Sequence, residues 1–416
     1  MNALVAHGVL IVDLTDGGES FHDANMMARM WETVDEFFTK VTPSSSEQQQ
    51  HQHNLPGMTS VMETGSQHAM VGYSEYDSGS MKFLETRLVR RERGRNGESK
   101  EEDNDGDHDR PTLLPKETKD IIGRDGIEAL QTSFDLVTDI GKDIIRIAVG
   151  ASSVEHGAFL NTKKRKNTRK GDGGILEDEN SVERNQEILA RQGAKLLVEE
   201  LVDDGKPLYK TTTAAAAAAA TPIDHTEGNV SMSPFRLCRY TDTSVSSSST
   251  REVFGAHTDT SFVTIVPVSN VSGLEVFDEA AECWYRPELR ARNFYLEQEE
   301  EQLQQPRDEE STIPWHCRYV AILPGENLQL ATRNEIPAAV HRVVAMKETK
   351  DNDNNNNNHH HHNARLSAPI LLRGRPGTKF LADRYIGGSL GNPLIMDADE
   401  LSMEDIHDKN QPKQVQ

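Results

Sequence analysis

The chain has 416 residues, with 45 Lys+Arg against 67 Asp+Glu and a net charge of −22. That acidic balance argues against a general nucleic-acid or anionic-membrane binder, since both favour basic surfaces. The three cysteines, Cys238, Cys283 and Cys317, lie far apart with no CxxC pair, so they support neither a zinc knuckle nor a disulfide framework and suit a reducing compartment.

At the N-terminus, "MNALVAHGVLIVDL" has no basic n-region and no small-residue cleavage site. It reads as a strand over residues 8–14 rather than a signal peptide. No apolar run approaches the ~20 residues a membrane span needs, so a soluble, cytoplasmic protein is expected. Residues 24–38 then place Met27, Met30, Trp31, Val34, Phe37 and Phe38 on one helical face. A second helix is expected over roughly residues 116–150, with Leu130, Phe134, Val137, Ile140, Ile144 and Ala148 at three- and four-residue steps. A third, over about 182–201, carries Ile188, Leu189, Leu196, Leu197 and Leu201.

Low-complexity patches interrupt these pieces at residues 44–53, 98–110, 163–174, 211–221, 244–250, 297–311 and 351–363, and the chain is polar after Glu404. Such segments cannot bury enough apolar surface to offset their ordering entropy. They read as expanded loops on a smaller fold. From Phe235 the character changes to short runs: "FRLCRY", "FVTIVPV", "GLEVF", "CWYRP", "RYVAILPG", "LQLAT", "AAVHRVVAM" and "RLSAPILLRG". Helices followed by eight short strands predict an α+β chain, mainly β, with a sandwich or jelly roll in its C-terminal half.

The stretch "FGAHTDTSFVTIVPV" holds the first chemical signal. In extended backbone, side chains at i and i+2 share a face, so His257 and Asp259 can aim an imidazole and a carboxylate at one point. The candidate third ligand is His341 in "IPAAVHRVVAMKE", set among valines with no acidic neighbour. Two histidines and one carboxylate make a facial triad suited to Fe(II), with coordination positions left open. Downstream, "ARLSAPILLRG" repeats the i, i+2 spacing with Arg365 and Ser367, which can grip one carboxylate of an anionic cosubstrate.

With these stretches together, the chain resembles the Fe(II)/2-oxoglutarate-dependent dioxygenase superfamily, in its isopenicillin N synthase-like, plant-type branch. The resemblance is carried by "FRLCRY", the H-x-D stretch running on to "CWYRP", "YVAILPGENLQLATRNEIPAAVHRVVAMKE" and "RLSAPILLRG". The opening "HGVLIVDL…WETVDEFF" and "MVGYSEYDSG" are similar to the family's N-terminal landmarks. The resemblance implies a double-stranded β-helix (jelly roll) with N-terminal helices packed around it and long low-complexity loop insertions. It divides the chain into an N-terminal helical and strand portion (1–222), a jelly-roll domain (223–395) and a C-terminal polar tail (396–416).

The same resemblance implies His257, Asp259 and His341 as both catalytic residues and iron ligands. Arg365 and Ser367 would hold the far carboxylate of 2-oxoglutarate, with Tyr240 a further contact to that cosubstrate. Fe(II), 2-oxoglutarate and O2 are the expected cofactor and cosubstrates, with ascorbate as a reductant. A monomer that oxidises a small organic molecule, releasing succinate and CO2, is expected, with neither a nucleic-acid nor a membrane partner. The rivals are a sister oxidase that does not use 2-oxoglutarate and a catalytically degenerate binding protein.

The chain departs from the family pattern in three places. Cys238 stands where many members have asparagine. Asp259 and His341 are 82 positions apart, and His341 and Arg365 are 24 apart, both long for the family. The excess maps onto the acidic, Gln-rich patch and the Asn/His run, where added length costs little in closure entropy. His359–His362 read as part of that low-complexity run rather than as ligands. "KKRKNTRK" and the Arg-rich run 87–95 read as solvated basic loops, and "GDGG" lacks the strand–turn–helix setting of a phosphate loop.

Overall fold

The computed structural model describes residues 2–15, 21–41, 59–64, 67–76, 80–89, 114–156, 179–205, 230–241, 251–302, 313–345, 364–388 and 400–403. The low-complexity segments 44–53, 98–110, 163–174, 211–221, 244–250 and 351–363 lie outside those residues, as do His359–His362.

Two facing sheets make the core of the fold. The larger runs β1 (Leu10–Asp13), β10 (Tyr319–Pro324), β7 (Val263–Pro267), β13 (Ile370–Leu372), β5 (Val230–Thr241), β4 (Met81–Val89), β3 (Gln67–Tyr76) and β2 (Thr59–Thr64), with β12 (Ala364–Ser367) also paired to β5. The smaller runs β6 (Arg251–His257), β11 (His341–Ala345), β8 (Leu274–Asp278) and β9 (Cys283–Tyr285). Between β5 and β12 the chain passes from one sheet to the other at every step except the β8–β9 pair, and every strand pairing is antiparallel. This is a double-stranded β-helix. β14 (Lys379–Leu381) pairs with β15 (Glu400–Ser402), so the polar C-terminal region contributes one short strand.

The period-two rule decides what faces what. On β5, Arg236, Cys238 and Tyr240 line the space between the sheets. The alternate residues Phe235 and Leu237 are fully buried on the other side, where Phe235 meets Phe134 with ring centres 5.6 Å apart. Phe134 belongs to α3 (Lys116–Glu155), which packs with α2 (His22–Lys40) and α4 (Glu179–Leu201) against the outer face of the large sheet. All six apolar residues predicted for α2 are buried there. Each such side chain contributes roughly 1.5–3 kcal/mol through the water it leaves. Asn2–His7 form α1, and among the described residues no helix is long and apolar enough to cross a membrane.

Several expectations need correction. The N-terminal strand is shorter than predicted and half-buried, because Gly8 leaves α1 with a positive φ of 64° and β1 is a sheet edge. On α4 the buried face is Ala190, Ala194, Leu197, Val198 and Leu201, whereas Ile188 and Leu189 are 53% and 38% exposed; small residues let α4 approach α3 closely, which a scan for large hydrophobes misses. "LQLAT" is not a strand but helix α6 (Glu326–Ala331), counting α5 (Pro287–Gln302) before it. Its first free N–H groups are captured by the loop after β6: Glu326 N–H donates to Asp259 O (2.9 Å) and Asn327 N–H to Ser261 O (3.0 Å). The acidic patch is not wholly a loop either, since its first residues extend α5. Arg87 is not a solvated loop residue. It is buried in β4, paired with Glu85 at 2.7 Å and bonded to the carbonyls of Ser231 and Met232.

Candidate metal centre and its pocket

Three elements bring the triad together. His257 ends β6, Asp259 lies in the turn to β7, and His341 begins β11, directly opposite His257 in the ladder. Their donor atoms all lie within 4.8 Å of one another. Asp259 Oδ1 is 3.5 Å from His257 Nε2, and its Oδ2 is 3.5 Å from His341 Nε2. Both rings are turned the same way by the backbone. His257 Nδ1 sits 2.8 Å from Gly255 O and His341 Nδ1 sits 3.0 Å from Ala339 O. A carbonyl can only accept, so each Nδ1 carries the proton and each Nε2 presents a lone pair to the shared point.

Asp259 is aimed by its surroundings. Thr264 Oγ1 donates to Asp259 Oδ2, and Ser261 Oγ lies 3.2 Å from Thr264 Oγ1. The turn is pinned from beneath by α6. Gly325 is required at that corner, because a Cβ there would stand 2.2 Å from Ser261 O. Burial alone would raise the Asp259 pKa, but the two imidazoles and Thr264 outweigh it and hold the carboxyl well below its usual range. Burial also works on the histidines. It lowers His341, aided by the nearby His257, while in His257 it is outweighed by Asp259 and that pKa is raised. The carboxylate is therefore an anion near neutral pH. Two imidazole nitrogens and one carboxylate oxygen, on one side of a point, suit a divalent first-row metal with open positions.

The triad opens onto a cavity of about 550 Å³ between the two sheets. That lies within the range of small-molecule sites. Arg365 and Ser367 line it and are 4% exposed each. In the β12–β5 ladder Arg365 is opposite Tyr240 and Ser367 is opposite Cys238. The Arg365 guanidinium lies 5.6 Å from the centre of the Tyr240 ring. Burial pushes the Cys238 thiol up to about 11 and the Tyr240 phenol well above its usual value, so both stay neutral.

Sequence reasoning missed Glu288. This residue of α5 is 1% exposed and pairs with Arg365 Nη2 at 2.7 Å. Its other oxygen accepts the N–H groups of Gly273 and Leu274 at 2.6 and 3.0 Å. Gly273 has no room for a side chain, since a Cβ would lie 2.5 Å from Arg365 Cδ. Arg365 thus enters the pocket already paired on one nitrogen, with Nε and Nη1 buried and without a hydrogen-bond partner. Arg236 and Arg373 line the same cavity and were also missed. Both fall at even spacing from recognised pocket residues, Arg236 from Tyr240 and Arg373 from Ser367, and that spacing was the available signal.

No family model matches the sequence, and no curated protein matches it. Among solved structures, Neurospora crassa T7H in complex with alpha-KG and 5-formyluracil is 12% identical, with 98% of this chain and 87% of that one covered and a TM-score of 0.45. The dioxygenase for auxin oxidation 1 from Arabidopsis thaliana, a 2-oxoglutarate complex, is 13% identical over 91% of this chain and 87% of that one, with a TM-score of 0.37. The rice dioxygenase for auxin oxidation is 12% identical over 98% of this chain and 86% of that one, with a TM-score of 0.38. At these identities and scores, the likeness decides nothing about chemistry by itself.

Proposed function

We propose that this chain is an Fe(II)- and 2-oxoglutarate-dependent oxygenase that oxidises a small organic molecule with O2 and releases succinate and CO2. The observation that carries this reading is the convergence of His257 Nε2, His341 Nε2 and the Asp259 carboxylate on one point, with both Nδ1 atoms committed to backbone carbonyls. The donor set fits Fe(II), and those three residues would hold it. Iron, when bound, supplies the chemistry with O2 that no protein side chain can.

The pocket also fits the cosubstrate. Arg365 presents two buried, unpartnered nitrogens, and Ser367 lies two residues along the same strand face. Together they would grip the distal carboxylate of 2-oxoglutarate, leaving its other end to reach toward the triad. Tyr240 and Cys238 would stay neutral beside it and keep water out. Thr264 holds Asp259 in place from behind.

A second reading, an oxidase using the same triad without 2-oxoglutarate, is favoured by one observation. Glu288 already gives Arg365 a carboxylate partner. Succinate release separates the two. Protein reconstituted anaerobically with Fe(II) is given O2, 2-oxoglutarate and a metabolite panel. Succinate formed in step with substrate loss supports the first reading, and substrate loss without succinate supports the second. Failure to bind Fe(II) at all would refute both and leave a degenerate binding protein.

A further inference from the structure

We infer that the pocket holds a second anion site, built on Arg373, that receives the carboxylate of an acidic substrate. The inference rests on the oxygenase reading and adds the charge class of the molecule oxidised.

Three guanidiniums line the cavity. Arg236 is paired with Glu85 and Arg365 with Glu288, each at 2.7 Å. Arg373 is different. Among the described residues its side chain has no ion pair, and its Nε is buried without a hydrogen-bond partner. The charged groups around it are Arg87, Asp259, Arg236 and Glu85. The two carboxylates are engaged elsewhere: Glu85 with Arg87 and Arg236, Asp259 with Thr264 and the two imidazoles. Arg373 is half-buried, so its guanidinium keeps some water, but the part turned away from water has no counter-charge from the fold. A ligand anion entering the pocket would supply what the fold does not.

Position separates this site from the Arg365 clamp. Leu372 pairs with Val263, and Phe262 N–H donates to Leu372 O, so Arg373 follows at the end of β13 beside the Asp259 turn. Arg365 begins the run, opposite Tyr240. Arg373 therefore stands at the metal end of the pocket, away from the carboxylate that Arg365 would grip. The walls between are largely apolar, with Phe254, Val266, Leu274, Val343 and Leu371. A monocarboxylate with an apolar body matches this lining. A single planar guanidinium fork also matches a carboxylate.

The test uses phenylacetate and octanoate, each beside its primary amide, titrated into full-length protein and followed by ligand-observed NMR. Titrations are run on metal-free protein and on protein loaded with Mn(II) and 2-oxoglutarate. The wild type should bind each acid at least about tenfold more tightly than its amide, as expected for a desolvated charge pair. Arg373→Gln should erase that preference while changing 2-oxoglutarate affinity by no more than about twofold, and Arg373→Lys should keep part of it. Equal binding of acids and amides by the wild type, or binding of neither, overturns the inference. So does an Arg373→Gln variant that loses 2-oxoglutarate instead, since the residue would then serve the cosubstrate. If the wild type binds neither Mn(II) nor 2-oxoglutarate, the oxygenase reading fails, and the metal-free titrations still decide the role of Arg373.

Discussion

His341 stands directly across the β6–β11 ladder from His257, with ring centres 4.3 Å apart and the Asp259 carboxylate 3.5 Å from each Nε2. The separation of 82 positions between Asp259 and His341 is therefore reduced to one strand spacing. His257→Ala, Asp259→Ala and His341→Ala should each lower Fe(II) affinity by more than the ~10–100-fold typical of losing an outer-shell partner. The fold should persist, because none of the three fills the apolar core. Anaerobic metal titration with far-UV circular dichroism checks both halves; full iron binding by His341→Ala would sink the triad.

Arg365→Ala should do more than weaken 2-oxoglutarate. It strands Glu288 in the interior, and breaking a buried pair in this way costs roughly 3–5 kcal/mol. Adding Glu288→Gln to Arg365→Ala should recover part of that loss, since the amide needs no counter-charge and its oxygen can still accept from Gly273 and Leu274. A urea-unfolding double-mutant cycle measures the coupling. Additive single effects would mean that the pair contributes little to stability.

Gly325→Ala should damage the metal site without touching a ligand. The added Cβ meets the Ser261 carbonyl, which belongs to the turn carrying Asp259. Overpacking of this kind costs about 1–3 kcal/mol. A weakened metal affinity alongside a lower Tm is expected, whereas wild-type metal affinity would show that the turn tolerates the shift.

His316 gives a pH dependence remote from the metal. Its ring lies near Trp31 and Trp315, its Nδ1 is buried without a partner, and burial pushes its pKa down to about 4. The folded form therefore takes up a proton less readily than the unfolded chain, whose histidine titrates near ~6.5. Stability is unaffected above that value and falls as pH drops from it toward 4, by on the order of 3 kcal/mol at most. His316→Gln should lose less stability than wild type between pH 7 and pH 4 in chemical denaturation. Parallel losses would show that other groups govern the acid limb.

The chemistry of this chain was legible where it depended on spacing two residues apart in extended backbone. Arg365 with Ser367 could be paired before any fold was known, because a strand puts such residues on one face; the same spacing pointed to His257 with Asp259, although Asp259 lies just past β6 in the turn to β7. Glu288 could not be found that way. It reaches Arg365 from a helix 77 residues away in sequence, and nothing local marks a lone glutamate among the arginines of that helix. Helix α6 was misread for a related reason. Its leucines suit a strand as well as a helix, and the choice is made by hydrogen bonds from Glu326 and Asn327 to the Asp259 turn. On α4 the small residues Ala190 and Ala194 form the buried face, a pattern that carries little hydrophobic signal.

β1 has a use apart from the pocket. It pairs along Leu10–Asp13 with β10, whose six residues are all buried. Without β1, that strand would offer a row of free N–H and C=O groups flanked by apolar side chains, a template for joining to another chain. With β1 in place, the sheet ends on a short, half-buried strand instead of a longer, fully buried one. Cutting the N-terminal residues away should open β10 to pairing with another chain and favour sheet-to-sheet oligomers.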